Sequence, residues 1–221
     1  MRRGDNIRIH VIFFKNNNAS MGIGSLIIFI AMILVAGVTA SVLIQTMNSL
    51  EQQAMRTGIE TMRDISSGLK VTQVSGYSNG TSITQLAIFV TPIAASNNLD
   101  LSNSYISLSD TSNSVVLAYN GTLFSNNASN GLFGTLNASN LTSNTFGAIV
   151  IRDIDGSISS TNPIINNGDL VVILINTSKC FSGIDARTEV FGTVTPEFGM
   201  SGIIRFTTPN SITSSIIELQ P

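Results

Sequence analysis

The feature that most constrains this chain is an uncharged apolar stretch of 23 residues, GIGSLIIFIAMILVAGVTASVLI, at positions 22–44. An apolar run of more than about 18 residues is long enough for a helix that crosses a membrane. Small residues let helix backbones approach closely, and this stretch is rich in them: Gly22, Gly24, Ala31, Ala36, Gly37, Thr39, Ala40 and Ser41. A simple lipid anchor needs few such residues, so the sequence indicates a helix that packs against other helices.

The helical period continues beyond this stretch. Apolar residues recur at spacings of three and four from Ile44 to Leu69, while charged and amide side chains take the other face. This pattern predicts an amphipathic helix, with Gly68 as its candidate C-cap. A helix over residues 22–67 would be about 70 Å long, and the apolar core of a bilayer, about 30 Å thick, covers only its first half. We expect the apolar stripe of the second half to contact both the chain's own β domain and neighbouring helices.

From residue 69 the apolar period changes to two. Short segments rich in Val, Ile, Thr, Phe and Tyr alternate with Gly, Asn, Ser and Pro clusters, at residues 69–77, 83–90, 105–109, 114–119, 146–153, 169–176, 188–196, 202–209 and 215–219. Many short strands with frequent turns indicate a β-sandwich or a barrel, and no apolar helix interrupts them, which argues against a parallel α/β sheet. We predict an α+β chain, with a long N-terminal α-helix followed by an all-β, immunoglobulin-like sandwich. Residues 120–145 are predicted to form a surface loop or an irregular hairpin.

The sequence argues against an enzyme. His10 is the only histidine and precedes the apolar stretch, and no P-loop or G-x-G-x-x-G motif is present. Cys180 is the only cysteine, so it cannot form an internal disulfide, and its position after an apolar segment favours a buried or half-buried thiol. We therefore predict no catalytic residues and no organic cofactor.

One acidic segment could bind a metal ion. Asp153 and Asp155 alternate before Gly156 and Ser157, and Asp169 follows a second turn, Asn166-Asn167-Gly168. Alternating carboxylates before a glycine resemble half of a calcium loop. A full EF-hand would need a Glu near position 164, where the sequence has Ile. The alternatives are a structural Ca²⁺ held by Asp153 and Asp155, or a solvated Asp-Gly turn.

Six N-x-[S/T] sequons follow the apolar stretch, at Asn79, Asn120, Asn127, Asn137, Asn140 and Asn176. A chain rich in Asn, Ser and Thr contains some sequons by chance, and turn-forming asparagines are the alternative interpretation. Four of the six lie between residues 120 and 142, where the loop is predicted. Because acceptor sequons lie in surface loops of exported proteins, we predict N-linked glycans on this part of the domain.

The N-terminal segment is basic. Arg2, Arg3, Arg8 and Lys15 outnumber Asp5, and positive charge before an apolar span stays on the cytoplasmic side. The apolar stretch is too long for the core of an ordinary secretory signal, and no A-x-A cleavage site follows it. On these residues alone, a leader and an uncleaved membrane anchor both remain possible.

Two separated blocks of the chain resemble archaellins, the archaeal flagellins. GIGSLIIFIAMILVAGVTASVLI is similar to their N-terminal signature, and a second block runs from about residue 146 to the end: IVIRDIDGS, PIINNGDLVVILIN, TEVFGTVTPEFGMSGIIRFTTP and IIELQP. The order and spacing of these segments match the family. Type IV pilins of bacteria instead carry Glu at the fifth mature position, where this chain has Gly24.

The resemblance implies processing by a prepilin-type signal peptidase before the apolar stretch. Aligned on Gly22, the cut falls between Ala19 and Ser20. The implied organisation is a leader (1–19), a filament-core helix (20–68) and a β-sandwich outer domain (69–221). Archaellins usually have Gly just before the cut with basic residues ahead of it, whereas this chain has Asn-Asn-Ala. The implied core positions are Gly22, Ile23, Gly24, Leu26, Phe29, Ile30, Ala36 and Gly37.

The function implied by the resemblance is that of a structural subunit of the archaellum filament, which serves swimming motility. The expected partners are identical or closely related subunits in a helical homo-oligomer, the membrane before assembly, and glycans. Without residues 1–19 the chain would carry 7 basic and 12 acidic residues, which argues against binding nucleic acid. The alternatives are an adhesion pilin and a single-pass membrane-anchored surface glycoprotein. We expect a membrane-inserted precursor and an extracellular filament on the cell surface.

Overall fold

The structure is a computed structural model that describes residues 17–94, 96 and 98–221. The chain divides into two compact units, Met1–Thr57 and Gly58–Pro221. The basic charges predicted to keep the N-terminus cytoplasmic, and most of the predicted leader, lie outside the described residues.

Helix α1 spans Asn17–Ser66. Its sequence contains no proline, which would interrupt the backbone hydrogen bonds, and 22 of its 50 residues are Leu, Ile, Met or Ala. The hydroxyls of Ser25, Thr39 and Thr46 donate to the carbonyl oxygens of Gly22, Val35 and Leu43, at 2.9, 2.7 and 2.8 Å. These polar groups are therefore satisfied within the helix, as an apolar environment requires.

Within the described residues, the rest of the chain forms eleven strands, one short α-helix and one 3-10 turn, Leu101–Asn103. Their bounds are β1 (Leu69–Ser78), β2 (Ile83–Pro92), β3 (Leu99–Asp100), β4 (Tyr105–Asp110), β5 (Ser114–Ser125), β6 (Thr145–Arg152), β7 (Ile164–Ile165), β8 (Leu170–Asn176), α2 (Thr177–Cys180), β9 (Glu189–Thr195), β10 (Gly202–Thr207) and β11 (Ile216–Gln220). All nine segments of alternating apolar residues are strands, and the predicted fold class is confirmed. The two-residue strands β3 and β7 were not predicted because they are too short to show a period.

Nine strands form one sheet in the order β10-β9-β4-β5-β6-β8-β2-β1-β11, and β3 pairs with β7. All neighbours in the sheet are antiparallel except β5 and β6, which are parallel. The sheet folds over itself, since Val74, Leu86 and Ile173 from one half share a buried cluster with Ile106, Val194 and Ile204 from the other. The predicted sandwich is thus built from a single continuous sheet.

Residues 126–144 form a packed layer on the sheet. Leu136 and Leu141 are buried in a second apolar cluster with Ile149, Val172 and Leu174. A Cβ on Gly147 would lie 2.6 Å from Leu136 Cδ1, so glycine allows this segment to approach the sheet. The loop predicted over residues 120–145 therefore begins later than expected, because β5 continues to Ser125, and its leucines anchor it.

Candidate functional site

The first candidate surface is that of α1. Every large apolar side chain from Met21 to Ile65 is exposed, by 49 to 74%. This includes the predicted filament-core residues Ile23, Leu26, Phe29 and Ile30. Contiguous apolar surface of this size on a water-soluble protein marks an interaction site or a membrane segment. The span Met21–Ser66 is long and apolar enough to cross a membrane, with a mean hydropathy of 2.8 in its most apolar window.

The small residues of α1 leave open space around the backbone. A Cβ built on Gly22, Gly24 or Gly37 meets no atom within 4 Å, and Ala36 is also exposed. A glycine inside a helix costs about 1 kcal/mol relative to alanine, and no contact within this copy of the chain requires one here. The small positions are thus available for close approach by another helix.

The apolar stripe continues through the last turns of α1. Ile59, Met62 and Ile65 are as exposed as the residues of the apolar stretch. The expectation that this part of the stripe would also pack on the chain's own β domain was wrong for these three residues. In these turns the guanidinium of Arg63 stacks on the ring of Phe198, 3.4 Å from its centroid, and this cation–π contact joins them to the domain.

A backbone clasp holds the end of α1 to the loop before β10. Met200 N donates to Ser67 O, and Leu69 N donates to Met200 O, both at 2.9 Å. The loop reaches Ser67 because Gly199 has a φ of 90°, and a Cβ there would collide with Ser67 O. Two glycines, Gly68 and Gly199, therefore allow two backbone segments to lie side by side.

Gly68 was predicted as a C-cap, and this prediction was wrong. It lies two residues after the end of α1 at Ser66, where a capping glycine would have a positive φ, but Gly68 is not among the residues with positive φ. Position 68 requires glycine because the backbone of Met200 lies close to it. A Cβ there would be 2.7 Å from Met200 O and 2.8 Å from Met200 N. Only the fold could reveal this, because the two segments are far apart in sequence.

The second candidate site is a carboxylate cluster at one end of β6 and β8. Asp153, Asp155 and Asp169 each place an oxygen within 4.8 Å of the others. Asp153 accepts from Gly156 N at 2.8 Å and from Ile158 N at 3.1 Å, which shapes its loop. Asp169 accepts from Ile154 N and Asn166 N, which ties the turn before β8 to the same loop. The pairing of β6 with β8 thus brings together carboxylates that are distant in sequence.

The electrostatics of this cluster suit a hard cation. Asp169 is fully buried, and no Lys or Arg in the described part of the chain forms an ion pair with any of the three carboxylates. Hydrogen bonds from Ser157, its side chain first, hold the pKa of Asp155 below its usual value, so this group stays ionised. Each carboxylate oxygen keeps a lone pair beyond its hydrogen bond, and Ca²⁺ prefers such ligands. The residues therefore fit the predicted metal.

The sequons do not share one environment. Asn79, Asn127, Asn137 and Asn140 are exposed, and Asn120 is half-buried. Asn176 differs, because it is 8% exposed and its amide nitrogen donates to Ala138 O at 2.7 Å. That nitrogen is the atom to which a glycan would be attached, and in the folded chain it is occupied by this hydrogen bond.

Asn176 anchors the sequon-rich segment instead. Its bond to Ala138 is accompanied by one from Lys179 Nζ to Ser139 O, at 2.6 Å. Cys180 Sγ lies 3.6 Å from Ser143 O, and burial raises the pKa of this thiol to about 11. Cys180 is thus half-buried, as its position after an apolar segment predicted, and its raised pKa keeps the thiol protonated at neutral pH.

A profile described as archaeal-type flagellin matches residues 19–206. Flagellin B2 of Methanocaldococcus jannaschii is 44% identical over 212 residues, which cover 94% of this chain and 98% of that protein. Flagellin B1 of Methanococcus voltae is 42% identical over 219 residues, with 94% of this chain and 98% of the relative covered.

Solved structures show the same architecture. The crystal structure of the archaeal flagellin FlaB1 from Methanocaldococcus jannaschii is 37% identical, with a TM-score of 0.63, and covers 70% of this chain and 97% of that one. The archaeal flagellum of Methanospirillum hungatei strain JF1 is 18% identical, with a TM-score of 0.64 and coverage of 90% and 99%. At that identity the second likeness concerns the fold alone.

Proposed function

Because the chain belongs to the archaeal-type flagellin family, we propose that it is the structural subunit of an archaellum filament that serves swimming motility. The observation that carries this proposal is the exposed apolar surface along α1. A helix that is apolar on all sides needs either lipid or other apolar helices around it. A bundle of identical helices replaces the lipid when the subunit leaves the membrane.

Assembly follows from the same surface. When each added subunit is rotated relative to the previous one and the rotations do not close a ring, the subunits form an open helical filament. The β domains then form the outer layer, and the role of the protein is mechanical, since the filament transmits rotation generated elsewhere. The clasp between Ser67 and Met200 supports this role, because it ties the last turn of α1 to the β domain by backbone bonds.

The first prediction tests function and processing together. Filaments sheared from cells should contain this chain with Ser20 as its first residue, because the leader is removed before the helix joins the bundle. N-terminal sequencing and mass spectrometry of the filament protein measure this. Deleting the gene should abolish swimming, and the restored gene is the control. A chain absent from filaments would overturn the proposed function, whereas filaments that retain Met1–Lys15 would overturn the cleavage alone.

We also propose that Asp153, Asp155 and Asp169 hold a structural Ca²⁺. When bound, the ion supplies the positive charge that offsets three adjacent carboxylates. The chain's own residues orient those carboxylates through Gly156 N, Ser157 N and Ile154 N. Binding to the folded state alone stabilises it by mass action.

The second prediction concerns this ion. Millimolar Ca²⁺ should raise the melting temperature of the full-length chain by about 5–10 °C, as expected for about 2.7 kcal/mol at a concentration 100-fold above Kd. A chelator should reverse the shift. Asp155→Asn should remove the response, whereas Asp110→Asn, at the end of β4 and outside the cluster, should keep it. A melting temperature that changes with neither calcium nor chelator contradicts the proposal.

We further propose that N-glycans occupy the accessible sequons and leave Asn176 unmodified. The support is the burial of Asn176 and the bond from its amide nitrogen to Ala138 O. Glycans on Asn79 or on the segment that contains Asn127, Asn137 and Asn140 would point away from the buried core.

The third prediction compares two sequons by the same substitution. Asn176→Asp should destabilise the domain by about 2–3 kcal/mol, because a buried carbonyl loses its donor and faces a carboxylate. Asn79→Asp should change stability by no more than about 0.5 kcal/mol, since an Asp oxygen can still accept from Thr81 N and Ser82 N. Thermal unfolding measures both. Mass spectrometry should find no glycan on Asn176, and a glycopeptide that contains it would contradict the assignment.

A further inference from the structure

One face of the outer domain is apolar, exposed and separate from α1. It is formed by the outward-facing residues of β10, β9, β4 and the first half of β5, residues 114–119, which we call the β10–β5 face. Its large apolar side chains are exposed by 48 to 68%: Tyr105, Val116, Phe191 and Ile203. The inward-facing residues of the same strands are buried in the core, so the fold does not require large apolar residues on the outward side.

Strand register places these residues on one surface. Ile203 lies opposite Thr193, which lies opposite Ser107, and Ser107 lies opposite Val116. The hydroxyls of Ser107 and Thr193 are 2.9 Å apart and hydrogen-bonded, so they satisfy each other. The middle of the face is therefore a row of mutually bonded hydroxyls with an apolar residue at each end.

Charge on this face is confined to one pair. Arg205 NH2 and Glu189 Oε1 form an ion pair at 3.0 Å, and the Arg205 backbone pairs with that of Phe191. The remaining outward residues of the β10–β5 face are apolar or carry hydroxyls. Since the two charges neutralise each other, covering the face would bury little unpaired charge.

The sequons lie elsewhere. They occur in the turn after β1, at and beyond residue 120, and at the end of β8; none lies on β4, β9 or β10, or on the first half of β5. Bulky glycans would prevent a close contact. The β10–β5 face itself contains no acceptor, and the half-buried Asn120 follows it directly on β5. The sequons thus lie outside the face, with Asn120 at its border.

The face adjoins the end of the filament-forming helix. Met200, itself exposed, stands just before β10 and bonds to Ser67 at the end of α1. Two exposed apolar residues, Met200 and Ile203, therefore extend from the end of α1 onto the face. This continuity points to the same kind of occupant for the face and for the helix, namely another copy of the chain.

The area of the face fits this occupant. Four strands about 4.8 Å apart, each contributing about 20 Å of length, present roughly 400 Å². A stable independent pair buries about 800 Å² on each partner, so the face is too small to hold a free partner by itself. It is large enough to add to the affinity of copies that their helices already hold side by side.

We propose that the β10–β5 face is a lateral contact between outer domains of neighbouring subunits. This inference rests on the proposed function, because the helices must first place the copies next to each other. The contact joins the face to a different surface of the next copy, because the subunits of an open helical filament are joined head to tail. It stabilises the outer layer of the filament and leaves the glycan-accessible side in solvent.

The experiment uses a matched pair of substitutions in a strain whose filaments contain only this chain. Ile203→Ser removes an exposed isoleucine from the face. Ile216→Ser removes one of similar exposure, 61% against 68%, from the start of β11, which pairs with Tyr77 beside the Asn79 turn; the other end of β11 bonds to β10 through Gln220. Filaments are heated in steps, and the released soluble subunit is measured after sedimentation. Ile203→Ser should release about tenfold more subunit than wild type, as expected when an isoleucine loses its burial, and Ile216→Ser should match wild type.

A glycan provides a second, bulkier test. Phe191→Asn completes a sequon with the native Gly192 and Thr193, and Phe191→Gln does not. Subunits that gain the glycan mass should stay in the membrane fraction, and the same variant should assemble in a strain without the oligosaccharide transferase. Glycosylated Phe191→Asn subunits in filaments of normal stability would overturn the proposal.

The outcomes separate the two proposals. If wild-type chain is absent from filaments, the proposed function itself fails. If wild type, Ile203→Ser and Ile216→Ser form filaments of equal heat stability, the lateral contact is refuted and the proposed function stands. Equal melting temperatures of the three chains in detergent confirm that Ile203→Ser acts on assembly and leaves folding unchanged.

Discussion

Replacing Gly37 with Leu is expected to abolish or severely weaken filaments while membrane insertion, leader removal and the folded β domain remain intact. Overpacking a tight site costs about 1–3 kcal/mol, and in a filament the cost recurs in every subunit. Within one copy the substitution meets no obstacle, because a Cβ on Gly37 has no neighbour within 4 Å. A loss of filaments would therefore report on contacts between copies.

Helix propensity makes this test sharper. Leu favours a helix over Gly by about 0.8 kcal/mol, so Gly37→Leu should stabilise α1 itself and cannot act by unfolding it. Gly37→Ala is the graded control, since it gives nearly the same propensity gain with far less bulk. Electron microscopy of cells, with a blot of the membrane fraction, measures the result. Normal filaments carrying Gly37→Leu would show that this part of the helix needs no close neighbour.

The second large effect is expected at the clasp. Gly199→Ala should lower the stability of the outer domain by about 3 kcal/mol or more, a fall of roughly 6–12 °C in melting temperature. Two causes add. Alanine is strained at a φ of 90°, and its Cβ would collide with the Ser67 carbonyl, which belongs to a backbone that cannot easily move aside.

Gly80→Ala is the matched control for this substitution. Gly80 has a φ of 95°, so it carries the same conformational strain, but a Cβ there meets nothing within 4 Å. The difference between the two melting temperatures of the full-length chain in detergent isolates the collision at the end of α1. Equal shifts would mean that the clasp relaxes at little cost and that it does not hold the helix end firmly.

Much of the fold could be predicted because its signals are local. A helix and a strand differ in the period of their apolar residues, and this period is visible in short windows. The apolar stretch predicted α1, and the alternating segments predicted every strand longer than two residues. Glycine at position 68 was interpreted as a cap because a glycine after a helix usually caps it. The contact with Met200 that requires it comes from a segment more than 100 residues away.

The sequence by itself determined that this chain has a long helix, apolar over its first half and amphipathic beyond it, followed by a domain of many short strands, since hydropathy and period depend on neighbouring residues. Only the tertiary structure decided which strands are neighbours, including the parallel pair β5 and β6. It alone decided that Asn176 is buried while Asn79 is exposed, and that the outward sides of four strands form one apolar face. These properties depend on contacts between residues distant in sequence, which the order of residues along the chain does not display.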